Sequence, residues 1–219
     1  MPVEKENIGE IVDKLEKGEI TIKEARIELK KKGLQHHGIG LTELILGLTI
    51  ILGLFLIYFP TITNFLPLRF LDFFTQLSVF DFPFAVKIIA SIIIAIGIIM
   101  TGYASHLLSS KGGLKQGDDT IKFIREGPYK IMRHPIAFGM FCLFILHPIV
   151  LSHLISYTIL ALIGQLILIL GMFIGPINED KINILKWGDK YRQYIKEVPR
   201  FNFISGLWNL RKRGIEDGK

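Results

Sequence analysis

Two small groups of side chains that handle charge and protons bracket a long stretch that has none. Arg133 and His134 close a basic loop, Asn178, Glu179 and Asp180 open a charged tail, and residues 134 to 178, 45 in all, contain no Asp, Glu, Lys or Arg. Brought together they would set a cation, an imidazole and two carboxylates in one neighbourhood, with His134 and Asp180 in reach of an acid or base role. Taken singly each has a plainer reading. Arg133 beside an apolar segment suits a lipid headgroup anchor, His134 suits the polar start of a helix that begins at Pro135, and the two acids suit an exposed helix end. The elements in between decide whether these residues meet.

The 45 residues form too long a run for one crossing. A helix rises about 1.5 Å per residue, so the run would reach about 67 Å against a hydrocarbon core of about 30 Å. It must fold back, and His147, Pro148, Ser152 and His153 mark the turn, because proline removes a backbone donor and the polar residues favour water. This predicts spans near 135–151 and 155–177 and returns Glu179 and Asp180 to the side where Arg133 and His134 lie. Residues 44 to 68 and 88 to 110 also lack charge and predict spans near 41–59 and 84–104. The fold class expected is all-α, a polytopic helical membrane protein of about four transmembrane helices with a C-terminal helical hairpin and a cytosolic C-terminal helix. Lys and Arg number eight up to residue 40, one (Arg69) in the first connection, six over 105–135, none in the tight turn and ten from 178 onward. That alternation predicts both termini in the cytoplasm. The aromatic connection "FLPLRFLDFFTQLSVFDFPF" reads as an interfacial or re-entrant piece, since Arg69, Asp72 and Asp81 would be costly at mid-membrane.

Half of the 219 residues are hydrophobic, 16 of them Phe, which fits a membrane protein better than a soluble domain. The net charge of +6 lies in the flanks of apolar segments, so the basic residues are expected to meet lipid headgroups and not nucleic acid. The lone cysteine, Cys142, offers no disulfide, and His36 and His37 lack further ligands at a useful spacing, so no metal site is expected. Residues 1 to 35 carry eight acids and eight bases and no signal-peptide core, which predicts an N-terminus that stays where it is made. They read as a separate cytosolic module of two helices joined at Gly18. Ile8, Ile11, Val12 and Leu15 form the apolar side of the first helix, a Thr21/Glu24 capping box opens the second, and Gly33 ends it. The module suits docking to a protein partner or self-association, or is simply a solvated hairpin.

The segment "GPYKIMRHPIAFG", the hairpin, and then "NEDKINILKWGDKYRQYIKEVPRFNF" together resemble the isoprenylcysteine carboxyl methyltransferase and phospholipid methyltransferase family of integral membrane enzymes. The resemblance covers roughly residues 84 to 204, leaving residues 1 to 40 outside and 41–219 as the membrane domain. It implies S-adenosylmethionine as methyl donor and an amphiphilic acceptor, a lipid or an isoprenylated cysteine, at the cytosolic membrane face. By position, Tyr129, His134, Pro135, Ile136 and Ala137 would line the cofactor pocket. Ile121, Lys122, Phe123 and Ile124 would cover it, with Lys115 and Gln116 nearby, and Glu179 would bind a polar part of the cofactor. Arg133, His134 and Asp180 are the candidate catalytic residues, while Trp187, Tyr191 and Tyr194 would pack the C-terminal helix against the hairpin.

Two positions depart from the pattern. The family's Tyr after the Arg-His-Pro segment is Ala137 here, and the Arg that orients a prenylcysteine carboxylate is replaced by Gly175, followed by Pro176. Two other readings stand beside the methyltransferase: a reductase related to the sterol reductases, which use a nicotinamide cofactor, and a non-catalytic membrane scaffold whose N-terminal module recruits a partner.

Overall fold

A computed structural model of the protein describes residues 3–31, 41–65, 72–111 and 122–216, and every regular element among them is helical. The order is α1 (Val3–Glu16), α2 (Ile22–Lys31), α3 (Leu41–Phe65), α4 (Asp72–Thr75), α5 (Phe84–Ser110), a 3₁₀ turn (Gly127–Lys130), α6 (Pro135–Val150), α7 (Ile159–Glu197) and α8 (Phe203–Glu216). Among the described residues, three helices are long and apolar enough to cross a membrane, over Leu44–Phe65, Phe84–Ser110 and Ile159–Ile184. Ile51, Ile99 and Leu170 on them are exposed, the reverse of a helix built for water. Helix α3 starts at the expected residue but continues through Pro60 to Phe65, and α5 runs past 104 to Ser110. Helix α6 stops after 16 residues, about 24 Å by helical rise, which is shorter than a bilayer core.

The chain divides into two compact units. One gathers Leu41–Ile99 and Ala137–Gly175, and in it the charge-free run does fold back. Helix α6 carries Pro148 in its last turn, the chain turns over residues 151–156, and α7 begins at Ile159. Gln165 donates to the Ile145 carbonyl at 2.7 Å and the Phe141 and Phe173 rings lie 5.4 Å apart, so the two helices run antiparallel. Ser152 of the turn donates to Asp81, which also pairs with Lys87 at 2.6 Å, and Ser156 accepts from Asn64 at 2.7 Å. The core is Ile57, Ile155, Tyr157, Ala161 and Leu168. Helices α3 and α7 meet across Gly53 and Gly164, and α5 and α6 across Gly97 and Gly139. A Cβ on Gly164 would lie 2.5 Å from the Gly53 carbonyl oxygen, and one on Gly97 would lie 3.1 Å from the Gly139 Cα. Small residues at such seams let helix backbones approach where burial of side chains from water supplies little drive.

The other unit gathers Met1–Gly40, Met100–Ile136 and Pro176–Lys219, which hold most of the chain's charges. Helices α1 and α2 are joined by a turn at Gly18, whose φ of +76° suits glycine, and bury Ile11, Leu15 and Ala25 together. The capping box forms: Thr21 N and Oγ1 donate to Glu24 at 2.7 and 2.8 Å, and Glu24 N donates back to Thr21 Oγ1 at 3.3 Å. The expected stop at Gly33 lies outside the described residues. Val12 on α1 joins Trp187, Tyr191, Tyr194 and Val198 in one buried cluster, and Lys190 pairs with Glu16.

The Gly53/Gly164 seam yields a test. Gly164→Val forces a side chain against backbone that cannot move aside, and such overpacking costs about 1–3 kcal/mol. The detergent-purified variant is expected to melt well below the wild type, whereas Gly47→Val, with no atom within 4 Å of its Cβ position, leaves the midpoint near the wild-type value.

Candidate functional site

Much of the shape of the segment from Gly127 to Pro135 comes from local chemistry. Gly127 takes φ +54°, with Tyr103 and Leu107 of α5 packed against it, and Pro128 opens the 3₁₀ turn. Met132 N donates to the Pro128 carbonyl at 3.0 Å, and Pro135 starts α6, where a missing backbone donor costs nothing. Tyr129 is buried with Ala104 and Leu107, against Ile124 and Ile136. Arg133 and His134 are therefore held at the mouth of a helix.

Helix α7 supplies the partners. His134 Nε2 lies 2.8 Å from Asp180 Oδ1 and Nδ1 lies 3.0 Å from Glu179 Oε2, so one imidazole bridges two neighbouring carboxylates. Carboxylates only accept, so both ring nitrogens donate and the ring is an imidazolium. Burial opposes that charge, yet the hydrogen bonds and negative charges of Asp180 and Glu179 more than compensate and raise the His134 pKa above its ordinary value. The two acids differ in setting. The Asp180 side chain is 6% exposed, while that of Glu179 is 58% exposed and keeps an open face.

Asp180 is the hub. Besides His134, its Oδ1 accepts from the Tyr191 hydroxyl at 2.7 Å, and its Oδ2 accepts from Arg200 Nε at 3.0 Å and Nη2 at 2.9 Å. Arg133 Nη2 stands 3.4 Å from the same Oδ2. Tyr191 follows Asp180 by eleven positions, about 16 Å along a straight helix, so the contact requires a bend. Gly188 makes it, with φ +52° and ψ −128°, a conformation that a Cβ would strain. The bend also packs Trp187, Tyr191 and Tyr194 around Phe123, which stacks on Trp187 at 5.2 Å. Burial pushes the hydroxyls of Tyr129, Tyr191 and Tyr194 well above their usual range, so they stay protonated. Tyr194 donates to the Tyr129 carbonyl at 2.6 Å, and Arg133 N donates to the Pro199 carbonyl at 3.0 Å, which draws the 127–135 and 199–200 segments together.

The Arg133 side chain is 7% exposed, and its Nε and Nη1 are buried without a partner. Buried guanidinium donors normally find acceptors, so the N–H groups of these two nitrogens suit an anionic ligand group.

No family model, curated protein or solved structure matches the chain.

Of the residues singled out from sequence, Arg133, His134, Glu179 and Asp180 come together directly. Phe123 and Ile124 belong to the adjoining apolar clusters, Lys122 is exposed, and Pro135 is buried. The Ile136 carbonyl accepts from Thr101 at 3.4 Å. Ala137 begins the portion of α6 that lies in the other unit. Ile121, Lys115, Gln116, His36 and His37 lie outside the described residues. Two participants escaped sequence reasoning: Arg200, just after Val198 and Pro199, and the Tyr191 hydroxyl. A cation directly after that Val-Pro step, in a tail already tied to an acidic pair, was the available signal for Arg200.

The imidazolium predicts a direction with pH. A group whose pKa is raised on folding stabilises the protein fully below its unfolded value, about 6.5 for histidine, and that contribution is lost as pH rises through the folded value. The thermal-midpoint advantage of wild type over His134→Gln is therefore expected to be largest near about pH 6 and to shrink toward about pH 9. A constant advantage across that range contradicts the charged ring.

Proposed function

We propose that this chain is an integral membrane methyltransferase, using S-adenosylmethionine and acting on an amphiphilic substrate at the cytosolic membrane face. The observation that supports this most is that two buried Arg133 nitrogens lack a partner in the same cluster that holds the open-faced Glu179, both in segments that resemble the membrane methyltransferases. A zwitterionic amino-acid moiety carries a carboxylate that suits Arg133, and hydroxyls or an ammonium that suit the open face of Glu179. Tyr129, Ile124 and Phe123 supply apolar walls close to these groups in the chain.

S-adenosylmethionine supplies, when bound, a methyl group on a sulfonium that an in-line nucleophile takes with the sulfur leaving as a neutral thioether. The chain's own residues bind, orient and keep water out. Neither buried group of the cluster is free to accept a proton, since His134 donates from both nitrogens and Asp180 is filled by Tyr191, Arg200 and His134; the open face of Glu179 is the carboxylate surface left, and in this reading it serves the cofactor. Arg133 is then the binding cation, while His134 and Asp180 act as positioning residues. Such a site suits an acceptor that is already anionic, a carboxylate or thiolate, over an amine or alcohol that must lose a proton. In this reading α3, α5, α6 and α7 make four spans with both termini cytoplasmic, α6 being a short crossing.

Purified protein is expected to bind S-adenosylhomocysteine at micromolar levels, with Glu179→Ala weakening it at least tenfold, about 1.4 kcal/mol. Titration calorimetry on both proteins reads this out. Equal isotherms remove Glu179 from the site, and thermal stabilisation by a reduced nicotinamide dinucleotide in place of the homocysteine compound turns the proposal toward a reductase. Stabilisation by neither, with capture of a partner dependent on residues 1–35, turns it toward a scaffold.

A further inference from the structure

Helix α8 is two-faced along its length. Gly206, Asn209 and Arg213 face the protein: Asn209 Nδ2 donates to the Glu197 carbonyl at 3.2 Å, and Arg213 Nη2 donates to the Lys130 carbonyl at 2.9 Å. A Cβ on Gly206 would sit 1.9 Å from the Ile131 carbonyl oxygen, so the backbone itself is seated there. Glu197 anchors both Arg213 and Arg125, which fixes the helix further. At about 100° per residue, Ile204, Leu207, Trp208, Arg211 and Lys212 occupy an opposite sector about 140° wide. Ile204 is 80% exposed and Trp208 59%, and Arg211 and Lys212 are exposed as well.

We infer that this face of α8 seats on an anionic bilayer surface. The order of chemistry along it argues for lipid. The first half offers Ile204, Leu207 and Trp208, an apolar wedge with an indole that favours the headgroup level, and the second half offers Arg211 and Lys212, suited to anionic headgroups. The Lys212 ammonium lies 5.8 Å from the Trp208 ring centroid, so wedge and charge form one surface. The described residues of the same chain include three helices long and apolar enough to cross a membrane, so lipid is a fitting partner for it. The consequence reaches the candidate site, because α8 is clamped to Lys130 and Ile131, just ahead of Arg133 and His134. Seating α8 ties that segment to the lipid surface. This inference does not depend on the methyltransferase reading, since it concerns lipid contact and not the reaction.

The test uses the full chain with Cys142→Ala, removing its one cysteine, and Ile204→Cys carrying an environment-sensitive fluorophore, reconstituted in lipid nanodiscs. The expected result is quenching by lipids spin-labelled near the headgroup and protection from aqueous iodide. Both effects strengthen when phosphatidylglycerol replaces part of the phosphatidylcholine, and that dependence is lost in the Arg211→Gln/Lys212→Gln variant. A label at Trp208→Cys repeats the reading from a second position. Free iodide quenching with no lipid quenching overturns the inference. So does protection from both quenchers, which means that protein, another chain or a second copy, covers the face.

Discussion

A buried carboxylate that must stay paired governs this arrangement. Taking a lone charge out of water costs far more than a folded domain has to spare, so an aspartate as enclosed as Asp180 persists only if cations and hydrogen-bond donors surround it. Its partners come from well-separated parts of the chain: Arg133 and His134 ahead of α6, Tyr191 beyond the bend in α7, and Arg200 after α7 ends. Removing Asp180 would leave up to three positive groups facing one another with nothing between them. The Gly188 bend and the Pro199 carbonyl that receives Arg133 N read as the geometry needed to deliver those partners.

The neighbouring acid is used differently. Glu179 and Asp180 are adjacent on one helix and reach opposite nitrogens of one imidazolium, yet one is enclosed and the other keeps its outer face open. A site built this way holds its acid–base groups fixed and leaves two things available to a ligand: the outward side of Glu179 and the spare N–H groups of Arg133. That favours binding and alignment over proton transfer. In the proposed methyltransferase reading, transfer from a sulfonium to an anion would ask for binding and alignment of this kind.

The convergence of Arg133 and His134 with Glu179 and Asp180 was legible because it follows from length: 45 residues without Asp, Glu, Lys or Arg are too many for one crossing of a bilayer, so their two ends return to each other. The Thr21/Glu24 cap was legible because it is local. Less visible was whatever depends on tertiary placement. Pro60 was expected just past the end of its helix and instead sits within α3, which runs on to Phe65, whereas Pro148 lies in the last turn of α6, where the break was expected. The part played by Arg200 depends on a bend at Gly188 that a single glycine in a helical pattern does not announce. Val12 finds its place against Trp187 and Tyr191 although the N-terminal stretch reads as self-contained, because an apolar stripe on a short helix shows that it needs cover without showing what covers it.

Everything at this site turns on His134 being an imidazolium held between two carboxylates. Nitrogen NMR of histidine-labelled protein, with the His134 signals assigned by their loss in His134→Gln, tests it most directly. Protons are expected on both Nδ1 and Nε2 at neutral pH, persisting above the pH where free histidine titrates. A neutral ring with one bare nitrogen at pH 7 would contradict it.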